Sequence, residues 1–183
     1  GILNPVSAGN CGLASSGYNG CLVDGTQRVS TPANNYNVLS VGGLDTGATP
    51  GSPATYVPWP NTSPGPTWGA RKKPDLIAPV FGTAGTPTTA QISNSSYTSV
   101  GYGTSFAAPI AAAGALLLAS AGNYRPEAQK AVMINSAMSV VGQTYWTPKA
   151  GWGVLDLAKA FAERANYDNR TVGGTSGNNV RFY

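Results

Sequence analysis

The sequence predicts a layered α/β domain, and two observations carry that expectation. Three short apolar segments of strand character precede three segments of helical character, and stretches rich in Gly and Pro separate them. At 183 residues the chain has room for one domain with a sizeable core. Residues 2–8 give the first strand, an apolar run that meets Gly9-Asn10. Domains rarely open in mid-strand, so further structure is expected before it. Residues 37–44 give the second, through Val38, Leu39, Val41 and Leu44, closed by Asp45-Thr46-Gly47. Between 46 and 69, Pro50, Pro53, Pro58, Pro60, Pro64 and Pro66 demand mostly loop. Residues 75–79 read as a short buried strand, and 82–99, rich in Thr, Ser and Pro, as a surface excursion.

Three helices are expected next. The first covers 104–121 and stops at Gly122-Asn123; its Pro109 falls in or just past the first turn, where a missing N–H is least costly. The second starts near Pro126-Glu127, with Ala131, Val132, Ile134 and Met138 on one face. The third covers 156–165, with Asp156 as N-cap and Leu157, Ala160 and Phe161 inward. Residues 166–183 are polar and glycine-rich, an arm or linker beyond a main unit at 1–165.

Composition narrows the function classes. With 42 % hydrophobic and only 10 % charged residues, the chain is too apolar for disorder and too sparsely charged for a typical cytosolic enzyme. A surface of neutral polar side chains suits a secreted or cell-surface protein. The net charge of +4 is scattered, and its one basic run, Arg71-Lys72-Lys73, has no interleaved aromatics. It reads as a solvated loop and not as a nucleic-acid patch. Cys11 and Cys21 flank a short loop; they form either a disulfide, worth roughly 3 kcal/mol in the chain-entropy model, or two free thiols. A disulfide argues for an oxidising compartment. Two Cys and no His exclude a zinc site. Triplets at Asn61, Asn94 and Asn169 permit N-glycans, although such triplets also arise by chance in so Asn/Ser/Thr-rich a sequence. Residues 1–5 lack a leader pattern, so a secreted product would have lost an upstream segment. The apolar stretch 106–122 is Ala-rich and short for a bilayer, hence a buried helix and no membrane span.

The chemistry concentrates in Gly101-Tyr102-Gly103-Thr104-Ser105-Phe106-Ala107-Ala108-Pro109. A serine in the first turn of a long apolar helix has its Oγ and N–H near the positive end of the dipole. Gly103 lets backbone and substrate approach, and Ala107 and Ala108 leave the cleft open. Taken alone, Gly-Thr-Ser would favour a plain helix cap; the rest of the chain reverses that preference.

The segment resembles the nucleophile motif of the subtilisin-like serine proteases, the subtilases: Gly-Thr-Ser-Met-Ala-(Ser/Ala)-Pro. Ser7-Ala8-Gly9-Asn10 is similar to the family's Ala-Ala-Gly-Asn, and Thr31-Pro32-Ala33 with Asn37-Val38-Leu39-Ser40-Val41-Gly42-Gly43 to its Tyr-Pro-Ala and following strand. Lys73-Pro74-Asp75-Leu76-Ile77-Ala78-Pro79 matches Lys-Pro-Asp-(Ile/Leu)-(Val/Ile)-Ala-Pro. Gly151-Trp152-Gly153-Val154-Leu155-Asp156 resembles the segment before the family's late helix. Five segments in family order span residues 7 to about 165. Five positions depart from the family: Ile110 for His after the motif proline, Phe106 for Met, Val80 for Gly, and Ala113-Gly114 in exchanged order. Phe106 should lower sensitivity to oxidation.

The resemblance implies part of a three-layer domain with a mostly parallel sheet, its first strands absent from this chain. It implies a serine endopeptidase with Ser105 as nucleophile, Asn10 and the Ser105 N–H as oxyanion donors, and Ser7, Ala8, Gly9, Gly103 and Thr104 lining the substrate site. No cofactor is needed; the family allows calcium, but Asn166-Tyr167-Asp168-Asn169 is too weak a ligand cluster to assign. The chain holds no histidine at all, and Asp24, Asp45 and Asp75 fall in segments with other roles. The partner expected is therefore an N-terminal subtilase chain or segment bearing the catalytic Asp and His, with a protein or peptide as substrate. The competing expectation is an inactive subtilase-derived structural or binding subunit.

Overall fold

The eight-residue strand β2 (Val38–Asp45) organises the structure, because every residue from Val38 to Leu44 is buried. A strand buried along nearly its whole length belongs inside a sheet covered on both faces. β1 (Asn4–Ser7) lies parallel on one side, from Asn4↔Val38 to Ser7↔Val41. β3 (Val57–Pro58) meets the far end of β2 antiparallel, and β4 (Leu76–Pro79) runs parallel on the other side, from Val41↔Leu76 to Leu44↔Pro79. Beyond β4, Val154 bridges Ile77 in parallel and Met138 antiparallel, so the Gly151-Trp152-Gly153-Val154 segment extends the sheet. The coordinates are a computed structural model that describes residues 2–13, 28–29, 31–46, 52–80, 88–90, 97–99, 102–122, 125–165, 170–172 and 180–182.

Two short hairpins complete the strands, β5 (Thr88–Ala90) with β6 (Tyr97–Ser99) and β7 (Arg170–Val172) with β8 (Val180–Phe182). Neither pairing was anticipated within 82–99 or the polar arm 166–183, and neither was the two-residue β3 in the proline-rich loop. Among the described residues Pro32, Pro66 and Pro74 follow cis peptide bonds.

Helix α1 (Thr104–Ala121) spans the expected range and lays Thr104, Ala107, Ala111, Ala115 and Leu118 on the sheet. That i, i+4, i+8 stripe of small residues lets the backbone sit close to Leu39, Val41, Leu76 and Ala78. α2 (Pro126–Asn135) and α3 (Leu157–Glu163) close the same face through Val132, Met133 and Ala160. The opposite face is covered by 138–154, with Leu44, Ile77, Val140, Ala150 and Val154 in contact. Asp156 caps α3 as expected, accepting from Lys159 N at 2.9 Å.

Two helical details agree with the sequence reading and two correct it. Pro109 is the sixth residue of α1, just past the first turn as expected. Gly122 does end α1, but with extended φ (176°), not in the left-handed form. Met138 lies beyond α2 in the Val154 bridge, and fully buried Met133 takes the core place assigned to it. Finally, α1 is buried along one stripe only: Ile110, Leu116 and Leu117 are exposed, and 33 % of its length is buried. By length and composition alone it could cross a membrane; here its stripe faces the sheet.

The basic run also differs from the solvated loop expected. Lys73 is only 3 % exposed; its Nζ donates to Asp75 Oδ2 at 2.6 Å and to Val38 O at 2.9 Å. Asp75 Oδ2 also accepts from Ser40 N at 2.7 Å, and Lys130 of α2 stands 3.5 Å away. Burial pushes the Lys73 ammonium down to about 8, although Asp75 opposes this. Arg71 stacks over Tyr36, Lys72 over Trp152, and Arg28 over Trp68, so aromatics are interleaved in space though not in sequence.

Candidate active site

The site forms where β1 ends and α1 begins. Ser7 is half-buried at the end of β1, and buried Ala8 prolongs the ladder through Ala8 N to Val41 O at 2.8 Å. The chain then turns at Gly9, whose φ of +105° is open to glycine and strained for other residues. A Cβ at Gly9 would also lie 2.6 Å from Ser63 Oγ. This turn delivers Asn10 to the N-terminus of α1.

Two donors fix the Asn10 side chain there. Thr104 N donates to Asn10 Oδ1 at 2.9 Å, and Thr104 Oγ1 donates to the same oxygen at 2.8 Å. A backbone N–H can only donate, so the atom facing Thr104 must be the amide oxygen. Nδ2, the donating end, then lies beside Gly103: a Cβ at Gly103 would sit 3.1 Å from it. Gly103 has extended φ (165°), so glycine is favoured here by space and not by backbone conformation. Thr104 is buried and accepts from Gly9 N at 3.3 Å, tying together two segments 95 residues apart.

Ser105 follows as the second residue of α1, with its side chain exposed. Its N–H is among the first four of the helix, which have no intrahelical acceptor, and it lies at the positive end of the dipole. Chemically, this arrangement puts a hydroxyl, a free helix N–H and a carboxamide N–H₂ at one place: a nucleophile with donors for an oxyanion. It contains no imidazole to take the serine proton, since the chain has no histidine. Asp75, the one buried carboxylate among the described residues, is engaged by Lys73, Lys130 and Ser40 N. The structure thus brings together Ser7, Ala8, Gly9, Asn10, Gly103, Thr104 and Ser105. The Cys11–Cys21 pairing involves Cys21, which lies outside the described residues, as do Asn94, Asp24 and 166–169. Among the described residues no three His, Cys, Asp or Glu side chains cluster to hold a metal.

Sequence reasoning missed Ser63. It is buried, its N donates to Gly9 O at 2.9 Å, and its Oγ accepts from Cys11 N at 3.1 Å. Asn61 O accepts from Gly12 N at 2.7 Å, so Asn61-Thr62-Ser63 is built into the site's wall, with the triplet's hydroxyl engaged inside. The signal available was a Thr-Ser pair between Pro60 and Pro64, small hydroxyls set in a loop that cannot satisfy the backbone by itself.

With a nucleophile helix, an adjoining asparagine turn and a parallel sheet in place, the class of protein is defined: the chain belongs to the subtilase family, whose model matches residues 1–153. Among solved structures it is similar to the prenylagaramide maturation protease PagA, with TM-score 0.56, 24 % identity, and 85 % of this chain and 48 % of that one covered. It is similar to a mutant of the PatA protease domain at TM-score 0.60 and 22 % identity, covering 91 % of this chain and 49 % of that one. A third is the Clostridium perfringens CspB protease, with TM-score 0.59, 24 % identity, and 76 % of this chain and 29 % of that one covered. At these identities the likeness establishes the fold. The chain spans about half of PagA and PatA, and less of CspB. No curated protein matches the chain.

Proposed function

We propose that this chain supplies the nucleophile and oxyanion hole of a serine endopeptidase, and that an N-terminal subtilase chain or segment supplies His and Asp. The observation that carries the reading is the pair of Thr104 donors on Asn10 Oδ1, which holds a carboxamide beside the exposed Ser105. In the reaction, Ser105 Oγ passes its proton to the histidine and bonds to the scissile carbonyl carbon. The carbonyl electron pair moves onto oxygen, where Asn10 Nδ2–H and Ser105 N–H receive it. Collapse of the intermediate expels the amine, which takes the proton, and water then hydrolyses the Ser105 ester. Ser7, Ala8 and Gly9 line the pocket for the residue before the scissile bond, and Gly103 and Thr104 complete the wall.

Three further features support a covering partner. β1 has no second neighbour among the described strands, α1 exposes Ile110, Leu116 and Leu117, and the chain lacks histidine. Unpaired edges and apolar faces are normally covered. On this reading the chain alone is less stable and more prone to aggregate than in the assembly, and a chain that melts at the same temperature with and without its partner refutes it. Secretion and a Cys11–Cys21 disulfide belong to the same proposal, and thiol titration of the denatured, unreduced protein tests the bridge. Calcium has no ligands we assign.

The second reading, an inactive structural or binding subunit, is favoured by the missing base and by the exposed stacks of Arg71 on Tyr36 and Arg28 on Trp68. A fluorophosphonate probe on the protein as isolated, with the adduct located by mass spectrometry, separates the two. Labelling at Ser105 requires an activated serine and therefore an assembled protease; folded material that takes no label leaves the binding reading.

A further inference from the structure

We infer that Ser63 is the positioning residue of the oxyanion hole, acting through Asn10; the inference rests on the role just proposed for Asn10. The argument concerns peptide planes. Asn10 is bracketed by two, the one shared with Gly9 and the one shared with Cys11, and their orientations set its φ and ψ. Ser63 holds both. Its backbone N–H donates to the Gly9 carbonyl at 2.9 Å, fixing the plane before Asn10. Its Oγ accepts the Cys11 N–H at 3.1 Å, fixing the plane after. Ser63 is 1 % exposed, so solvent does not replace it readily.

The neighbouring bonds show why this residue and not another controls the turn. Thr104 fixes the far end of the Asn10 side chain, and Gly9 N and Gly12 N are bonded to Thr104 Oγ1 and Asn61 O. The Cys11 N–H is the donor in this turn that a side-chain hydroxyl of the 59–65 loop satisfies. Deleting that hydroxyl leaves the part-buried N–H facing an apolar methyl, and the plane after Asn10 is driven to rotate toward another acceptor. Thr104 keeps its hold on Oδ1, so the side chain pivots about that oxygen and Nδ2, the donating end, is displaced. A displacement below an ångström suffices, because donors must meet the oxyanion at 2.7–3.1 Å, roughly the span a hydrogen bond tolerates.

The test is a double-mutant cycle of Ser63→Ala and Asn10→Ala in the assembled protease, with kcat and KM measured and melting followed separately. Misplacement by about an ångström can cost about 10²-fold, so the partial displacement argued here should lower kcat by roughly tenfold and leave KM unchanged. In the Asn10→Ala background Ser63→Ala should change kcat by less than about twofold, since the residue it acts through is gone. An equal loss in both backgrounds, or no loss in either, overturns the inference. Should Ser63→Ala fold poorly, the size-matched Ser63→Cys, a weaker acceptor, takes its place. Amide hydrogen exchange on the chain supplies a readout independent of activity. Cys11 N–H should exchange faster in Ser63→Ala while the α1 amides hold their rates, and unchanged Cys11 exchange overturns the inference. A wild type that cleaves nothing and takes no probe at Ser105 refutes the proposed function instead, and the exchange result still decides whether Ser63 sets the turn.

Discussion

Gly9→Ala separates backbone strain from side-chain contact at the turn that delivers Asn10. Two effects act at once. Alanine at φ +105° is held in a sparsely populated conformation that costs about 1–3 kcal/mol. Its Cβ would also stand 2.6 Å from Ser63 Oγ, and Ser63 must withdraw, giving up the Cys11 N–H. Losing that partner on a part-buried donor costs at most about 1–3 kcal/mol more. The single variant should therefore lose at most roughly 2–6 kcal/mol, the sum of these two ranges. In a Ser63→Ala background the Oγ is already absent and its bond to the Cys11 N–H already lost. The same Gly9→Ala change should then cost only the strain, about 1–3 kcal/mol. Urea unfolding followed by circular dichroism gives the four stabilities. A loss for Gly9→Ala below about 0.5 kcal/mol, or a loss as large in the Ser63→Ala background as in wild type, refutes the packing of Gly9 on Ser63.

Three other outcomes are expected. The folded Lys73 titrates at about 8 against an ordinary 10.5, so between these values the unfolded chain binds the extra proton and stability rises with pH. The slope approaches about 1.4 kcal/mol per pH unit, and urea unfolding of wild type against Lys73→Met across pH 7–11 should show it lost in the variant. Met133→Ala should cost about 2–5 kcal/mol because Met133 is fully buried, and half-buried Met138→Ala clearly less; equal losses in thermal melts contradict the core assignment. Leu116→Asp, on a position 66 % exposed, should change the stability of this chain by less than about 0.5 kcal/mol. The same variant should abolish co-purification with a His-bearing partner if α1 is the covered face.

What could be read from sequence was whatever depended on neighbours along the chain. The limits of α1 follow from an alanine-rich run between Gly103 and Gly122, and the start of α3 from Asp156 followed by an apolar face. β2 and β4 announce themselves as short apolar runs ended by turn residues. What could not be read depends on distant partners. Ser63 meets Cys11 across 52 positions, and no local pattern distinguishes its hydroxyl from those of a solvated loop. Lys73 looks like one of three surface cations until β2 and α2 enclose it with Asp75. Met138 shares the apparent helical face of Val132, yet α2 ends at Asn135, and the chain turns to pair Met138 with Val154. Local periodicity cannot see that stop, because Ser136-Ala137 carries no proline or glycine.

The division of labour under the proposed reading has a quantitative consequence. On that reading charge stabilisation is built into this chain: Thr104 holds Asn10 directly and Ser63 holds the flanking Gly9 and Cys11, with no histidine or aspartate in the set. Proton transfer is not. On subtilisin itself, a member of this family, loss of the base costs on the order of 10⁶ in kcat, while the oxyanion hole and binding alone retain about 10³–10⁴ over water. Those magnitudes are taken from that enzyme and not from the present geometry. An assembly whose partner has lost only its histidine should therefore fall in the retained window, far below a protease yet measurably above buffer, and Asn10→Ala should remove most of what remains. An assembly whose residual hydrolysis is indifferent to Asn10 has no working oxyanion hole.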